Sequence, residues 1–468
     1  MTAVASLAPL AVSGLPRAPF PLLSAALLRQ RLSAPGELAV VDVREAGARA
    51  REGHLLQSVP LPLGQIELRA GVLLPRFGVP VVVTDGGDGG AAERAAWRLS
   101  DLGYKDVSIL DGGAAGWAAA GGALYTGANV LSRALGAVVA QSGAAPGRRP
   151  GARRVRGDAV VGRAVGARAV ERRLRAASAA GACALAGTGR AGTGDLAARF
   201  GIQTLDAAGL RRFEAERGGR CLYLLDVRSR AEYEAGHLPG ALWAEGGRLM
   251  LAAERWIGAR NGRIVLVDTA GGPRAAVAAS WLIQLGIGDV HVHVMDERAS
   301  DLLRGPERAP VLGAPSAVPR IGPARLKHLL DRAAVVVLDL DTSLAYARGH
   351  VPGARFAVRS RLPQGVERLP HRPVVLTSAD GRLAAFARAD LLGAGREVWV
   401  LEGGTQAWRA AGFPLEVGAT HLLHAPDDVW SGAVAGGRPV ARRRAWAGDM
   451  DLLRRIARDD TLTFRLWP

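Results

Sequence analysis

The sequence predicts an α/β protein of three tandem modules, each a parallel sheet covered by helices on both faces. Three observations carry that expectation. A strand ending in Asp, followed by Gly-His, occurs at Val40–His54, Leu224–Ala241 and Val337–Ala354. After each copy comes a second apolar strand running into a loop and helix, at "VVVTDGGDGG", "IVLVDTAGGPRAA" and "VVLTSADGRLAA". A third strand closes each copy, in "DVSILDGGAAGW", "DVHVHVMDE" and "EVWVLEGGTQAW". Unbroken apolar strands alternating with helical stretches need both sheet faces covered, which is the layered α/β arrangement.

Taken in order, the first module is expected over 17–130, with Asp42, His54 and a loop opening at Asp85. The second, over 196–305, carries Asp226, His237 and Asp268; the third, over 316–420, carries Asp339, His350 and Ser378. The Asp residues close the first strand, where a carboxylate can hold loop N–H groups or the neighbouring Arg44 and Arg228. The histidines stand at turns, with Pro239-Gly240 and Pro352-Gly353 as turn chemistry, so both sets read as structural. Trp117 and Trp408 follow Gly-Gly at helical spacing and are expected to pack on the sheet.

The spacing is uneven. Asp226 to Asp339 is 113 residues, whereas Asp42 to Asp226 is 184. The surplus falls in 131–195, an Ala/Gly/Arg-rich stretch without aromatics that cannot fill a core. It reads as a low-complexity insert or as a truncated, out-of-frame module. The remainder, 421–468, reads as a basic helical tail docking on the last module, with an anionic-partner site as the alternative.

Composition narrows the function classes. A chain of 468 residues is too long for one core, and 49% hydrophobic with 22% charged residues suits globular modules. No apolar run approaches the roughly 20 residues of a membrane span. The N-terminus lacks a basic region and is broken by prolines, so a cytoplasmic start is expected. The formal charge is +17, but ten arginines between Arg148 and Arg175, against Asp158 and Glu171, hold nearly half of it. With no aromatics there to stack bases, nucleic-acid binding is disfavoured. The two cysteines, Cys183 and Cys221, build neither a disulfide framework nor a zinc site, and no metal or cofactor is expected. "GTGRAGTGD" lacks the preceding strand and the Lys-Ser/Thr ending of a phosphate loop.

The loop after the second strand is the place for chemistry. Its N–H groups and the following helix dipole converge on its first residue. That residue is Asp85, Asp268 or Ser378.

Asp-x-Arg, Gly-His-x-Pro-Gly-Ala, the strand with its glycine-containing loop and Leu-x-Gly-Gly-x-x-x-Trp together resemble tandem rhodanese-like sulfurtransferase modules. The resemblance covers roughly 20–125, 200–300 and 320–416. It implies sulfane sulfur transfer from a thiosulfate-like donor to a thiophilic acceptor, a thiol or a protein, through a cysteine persulfide first in the loop. Converging N–H groups would lower the pKa of that thiol. Basic residues near the loops, Arg382, Arg274, Arg44 and Arg228, would bind the anionic donor.

Carried onto this chain, the nucleophile's seat holds Asp85, Asp268 and Ser378. Aspartate cannot carry a persulfide, and serine without a general base is a far poorer nucleophile. Aspartate there resembles the non-catalytic modules that support an active partner. Longer relatives of this kind resemble the chain with four modules and an active cysteine after the first, where 131–195 lies. Cys183 is the cysteine of that stretch, without the strand or loop spacing; Cys221 reads as a buried strand-edge residue. Two functions follow: a rhodanese-type sulfurtransferase, or a silent rhodanese-like scaffold binding small anions or a protein partner.

Overall fold

The computed structural model describes residues 20–88, 90–127, 191–269, 273–315 and 318–430, with short pieces within 130–135 and 455–464. Cys183 and most of 131–195 lie outside the described residues.

The apolar repeats become three sheets of one topology. In the first module the strands are β1 (Leu22–Leu23), β2 (Leu38–Asp42), β3 (Val59–Pro60), β4 (Val81–Thr84) and β5 (Val107–Leu110). They lie in the order β1-β5-β4-β2-β3. The second module repeats this order with β6 (Gln203–Thr204), β7 (Leu222–Asp226), β8 (Leu242–Trp243), β10 (Gly262–Asp268) and β11 (Gly288–Val294). The third does so with β12 (Arg320–Ile321), β13 (Val336–Asp339), β14 (Arg355–Phe356), β15 (Val374–Thr377) and β16 (Val398–Leu401). Every residue of β2, β4, β7, β13 and β15 is buried, as strands covered on both faces must be.

Helices cover both faces. In the first module one face packs with Leu28, Leu110 and Trp117. The other joins a core that also contains Tyr223, Ile264 and Leu282 of the second module. The third module keeps separate clusters, around Leu376 on one face and Trp408 on the other.

The first and second modules also share a sheet. β9 (Ala259–Arg260), from the second module, pairs antiparallel with Leu38–Ala39 of β2. Beside it the buried Tyr223 hydroxyl donates to Leu73 O at 2.7 Å and accepts from Ala259 N at 2.8 Å. Tyr223→Phe removes this bridge and leaves the buried Ala259 N–H without its acceptor, while Leu73 O keeps the bond from Gly258 N. It is expected to cost about 1–3 kcal/mol; an unchanged urea midpoint would refute the bridging role.

The third module docks on the first through charge. Buried Arg359 donates to both Glu67 oxygens, at 2.8 and 2.9 Å, to Asp390 at 2.7 Å and to Gly64 O at 3.0 Å. Arg98 reaches the other Asp390 oxygen at 2.8 Å. Nearby, Gly47 N donates to Asp427 O and Ser360 Oγ to Glu45.

The tail differs from expectation. Residues 421–430 pack on the third module, Phe356 N donating to His421 O at 3.1 Å and Val358 N to His424 Nδ1 at 2.9 Å. The described pieces of 455–464 pack on the first instead: Tyr125 OH donates to Asp459 at 2.9 Å, Arg455 to Leu124 O at 2.9 Å, and Gln57 pairs with Thr461. The reason is apolar. Leu56 and Tyr125 leave a patch that Ile456, Leu462 and Phe464 cover.

Candidate functional site

Parallel sheets place their loops at the carboxyl ends of the strands, and all three candidate sites lie there. Register puts Asp42 opposite Thr84, Asp226 opposite Val267 and Asp339 opposite Thr377. Each buried carboxylate thus stands beside the strand that delivers the loop.

In the first two modules an arginine fork neutralises that carboxylate. Arg44 donates to Asp42 at 3.0 and 2.7 Å and to Gly53 O at 2.9 Å. Arg228 donates to Asp226 and Gly236 O, both at 2.6 Å. The fork therefore ties the strand end to the carbonyl before the Gly-His histidine. His54, His237 and His350 are buried. Their Nδ1 atoms face the carbonyls of Arg49, Tyr233 and Tyr346 at 3.3, 2.8 and 2.8 Å. His237 and His350 also stack on Tyr233 and Tyr346.

The third module lacks the fork because Asp341 occupies the arginine's place. Burial pushes the Asp339 carboxyl up to about 7, the N–H of Asp341 and the Thr405 hydroxyl pull it back in part, and the Asp341 charge pushes it further up.

The seats themselves are filled from within. Asp85, 1% exposed, accepts Gly87 N at 2.9 Å and Ala92 N at 3.0 Å. Burial raises its pKa against those two bonds, and Asp88 adds to the rise. Asp268 accepts Thr269 N at 2.8 Å, Arg274 N at 2.9 Å and Ala275 N at 3.2 Å. Its oxygen also takes two bonds from the Arg274 guanidinium, at 3.0 and 2.6 Å. Ser378 Oγ accepts a single long bond from Ala384 N at 3.4 Å. Two cradles thus already hold a carboxylate, and the third holds a neutral hydroxyl.

The arginines expected to bind an anion have partners of their own. Arg44 and Arg228 hold the strand-end carboxylates, and Arg274 spans Asp268 and Glu232. Burial opposes ionisation of Glu232, but bonds from Arg274 and Ser229 prevail and hold it at about 2. Arg382 pairs with Asp380 at 2.5 Å, on the surface. The mouth of the third cradle is acidic: Asp380 and Asp428 both push up the Asp341 carboxyl, whose pKa burial already raises. Cys221 is fully buried, and burial with the nearby Glu37 carboxylate pushes its thiol up to about 12, so it is inert.

Sequence reasoning missed what the Gly-Gly pair does. At Gly113 (φ +55°) a Cβ would lie 2.7 Å from Asp85 Oδ1; at Gly404 (φ +62°) it would lie 2.0 Å from Ser378 O. The glycine lets the third strand's turn press against the cradle. Gly404→Ala is expected to lower stability by about 2 kcal/mol or more, since the left-handed conformation alone costs about 1–2. Equal melting curves for the variant and wild type would count against this.

Comparison with known proteins identifies the fold's kin. The Rhodanese-like domain family matches residues 24–120, 211–297 and 322–411, more than half of the chain. The chain belongs to this family. Its three rhodanese-like modules resemble a crystal structure of a thiosulfate sulfurtransferase from Pseudomonas aeruginosa, with 30% identity and a TM-score of 0.81. That match covers 96% of this chain and all of the other. A putative thiosulfate sulfurtransferase, SseB, from Mycobacterium tuberculosis is 32% identical over 135 residues, 23% of this chain. The chain spans about half of that relative's length, 46%. The thiosulfate sulfurtransferase GlpE of Stutzerimonas stutzeri is 31% identical over 98 residues, 20% of this chain and 88% of its own. Among the described residues, no helix of these rhodanese-like modules is long and apolar enough to cross a membrane.

Proposed function

We propose that this chain is a rhodanese-like scaffold, descended from a thiosulfate sulfurtransferase, whose three described cradles carry out no sulfur transfer. One observation carries the reading: the loop N–H groups that would stabilise a persulfide donate instead to the side chains of Asp85 and Asp268. A carboxylate cannot form a perthiol, and a resident anion repels an anionic donor. The third cradle offers Ser378, whose hydroxyl makes no hydrogen bond to a histidine among the described residues, and an acidic mouth that disfavours thiosulfate. The scaffold's ligands are small anions or a protein partner.

A second reading is favoured by the relatives' names. Thiosulfate sulfurtransferases of this layout suggest sulfur transfer through a cysteine outside the described residues, and Cys183 in the 131–195 insert is that residue.

One assay separates the two. Purified chain is incubated with thiosulfate and cyanide, and thiocyanate is followed. No turnover is expected, for wild type and Cys183→Ser alike. Turnover that Cys183→Ser abolishes would replace the first reading with the second. Resequencing the region coding for 137–195 is a further check, because a corrected frame supplying a strand and Cys-x-x-Gly-x-Arg would restore an active module.

A further inference from the structure

The first module and the C-terminal segment enclose a cavity of about 210 Å³. Arg29, Trp117, Arg455, Arg458, Asp459 and Asp460 are its charged and aromatic walls. The Trp117 wall is closely built: a Cβ on Gly122 would lie 2.2 Å from the indole nitrogen. The Arg29 guanidinium lies 4.9 Å from the Trp117 ring centroid and donates to Ala120 O at 3.1 Å, yet its Nε is buried with no hydrogen-bond partner.

Arg455 and Arg458 are brought here by contacts that need no cavity ligand. Ile456, Leu462 and Phe464 pack on Leu56 and Tyr125, and Asp459 accepts from Tyr125 OH, Thr461 N and Thr461 Oγ1 at 2.9, 3.1 and 2.5 Å. Asp459 keeps its charge while accepting these bonds, and with Asp460 it leaves the three guanidiniums that line the cleft one positive charge in excess. Arg458 makes no hydrogen bond or ion pair among the described residues. Like charges gathered in a polar cleft repel unless an anion joins them, and planar guanidiniums suit tetrahedral oxyanions by paired N–H donation.

We propose that this cleft binds a small oxyanion of the sulfate and phosphate class, and that the bound anion clamps the C-terminal segment onto the first module. The site is separate from the three cradles and does not depend on their chemistry.

The test titrates inorganic sulfate, and separately inorganic phosphate, into the full chain in dilute chloride buffer. Binding is followed by calorimetry and by the rate of proteolysis in the C-terminal segment. Saturable one-site binding is expected, with cleavage slowed by the anion. Arg29→Ala and Arg458→Gln should each weaken it by about tenfold, the loss of one charge-assisted bond. Asp460→Asn should tighten it. Arg458 is exposed and unpaired, so its variant reads binding rather than folding. Heats that do not saturate, binding unchanged in both arginine variants, or binding that responds instead to Ser378→Ala would each overturn the proposal.

Discussion

Arg359→Ala is expected to lower the stability of the chain by about 3 kcal/mol or more. Arg359 is 5% exposed and bonded to Glu67, Asp390 and Gly64. Its removal strands two carboxylates, and breaking a buried pair from one side costs about 3–5 kcal/mol. Arg98 keeps the loss near the lower figure, because it still reaches both carboxylates. Glu67 itself is pushed up by burial but ends below its usual range because Arg359 and Arg98 hold it ionised. The effect should appear in urea titrations as early melting of the third module. A change below about 1 kcal/mol, the range of a screened surface pair, would show that the network does not join the modules. The paired change Arg359→Met with Glu67→Leu should recover part of the loss, since apolar substitutes avoid desolvating both charges.

The second large effect concerns pH. Asp339 has a folded pKa of about 7 against an ordinary value of 3.8. Its folded pKa is raised, so its stabilising protonation is fully present below pH 3.8 and lost as pH climbs through about 7. The displacement corresponds to about 4 kcal/mol. Glu45, half-buried at the seam with the third module and also pushed up to about 7, acts in the same direction. The difference in stability between Asp339→Asn and wild type isolates Asp339. It should shift by several kcal/mol in favour of the variant between pH 5 and 8. Asp341→Arg should rebuild the fork of the other two modules and flatten the same slope. If Asp339→Asn and wild type track each other across that range, the carboxyl is ionised throughout and the account fails.

Much of the fold was legible in the residues. The runs ending at Asp42, Asp226 and Asp339 are apolar at consecutive positions, and buried parallel strands permit nothing else. The Gly-His turns recur because the same helix-to-strand geometry recurs. β9 was not legible: two residues carry no periodicity, and their partner lies in another module. Nor was the Arg359 network, since a charged residue gives no sign of which carboxylate 292 positions away it will meet. The docking of 455–464 was misread for the same reason, because the patch around Leu56 and Tyr125 forms only when the first module is folded.

At the candidate site the division is sharper. Side-chain chemistry is covalent, so the residues alone name the atom that stands first in each loop: two carboxylates and one hydroxyl, none able to hold sulfur. What those atoms do was set by the packing around them. It turned Asp85 into its own loop, handed Arg274 to Asp268 and Glu232, and left Asp339 without a cation. Such outcomes rest on donors and acceptors meeting within about 3 Å, and residues distant in the chain reach that separation only through the packing of the whole.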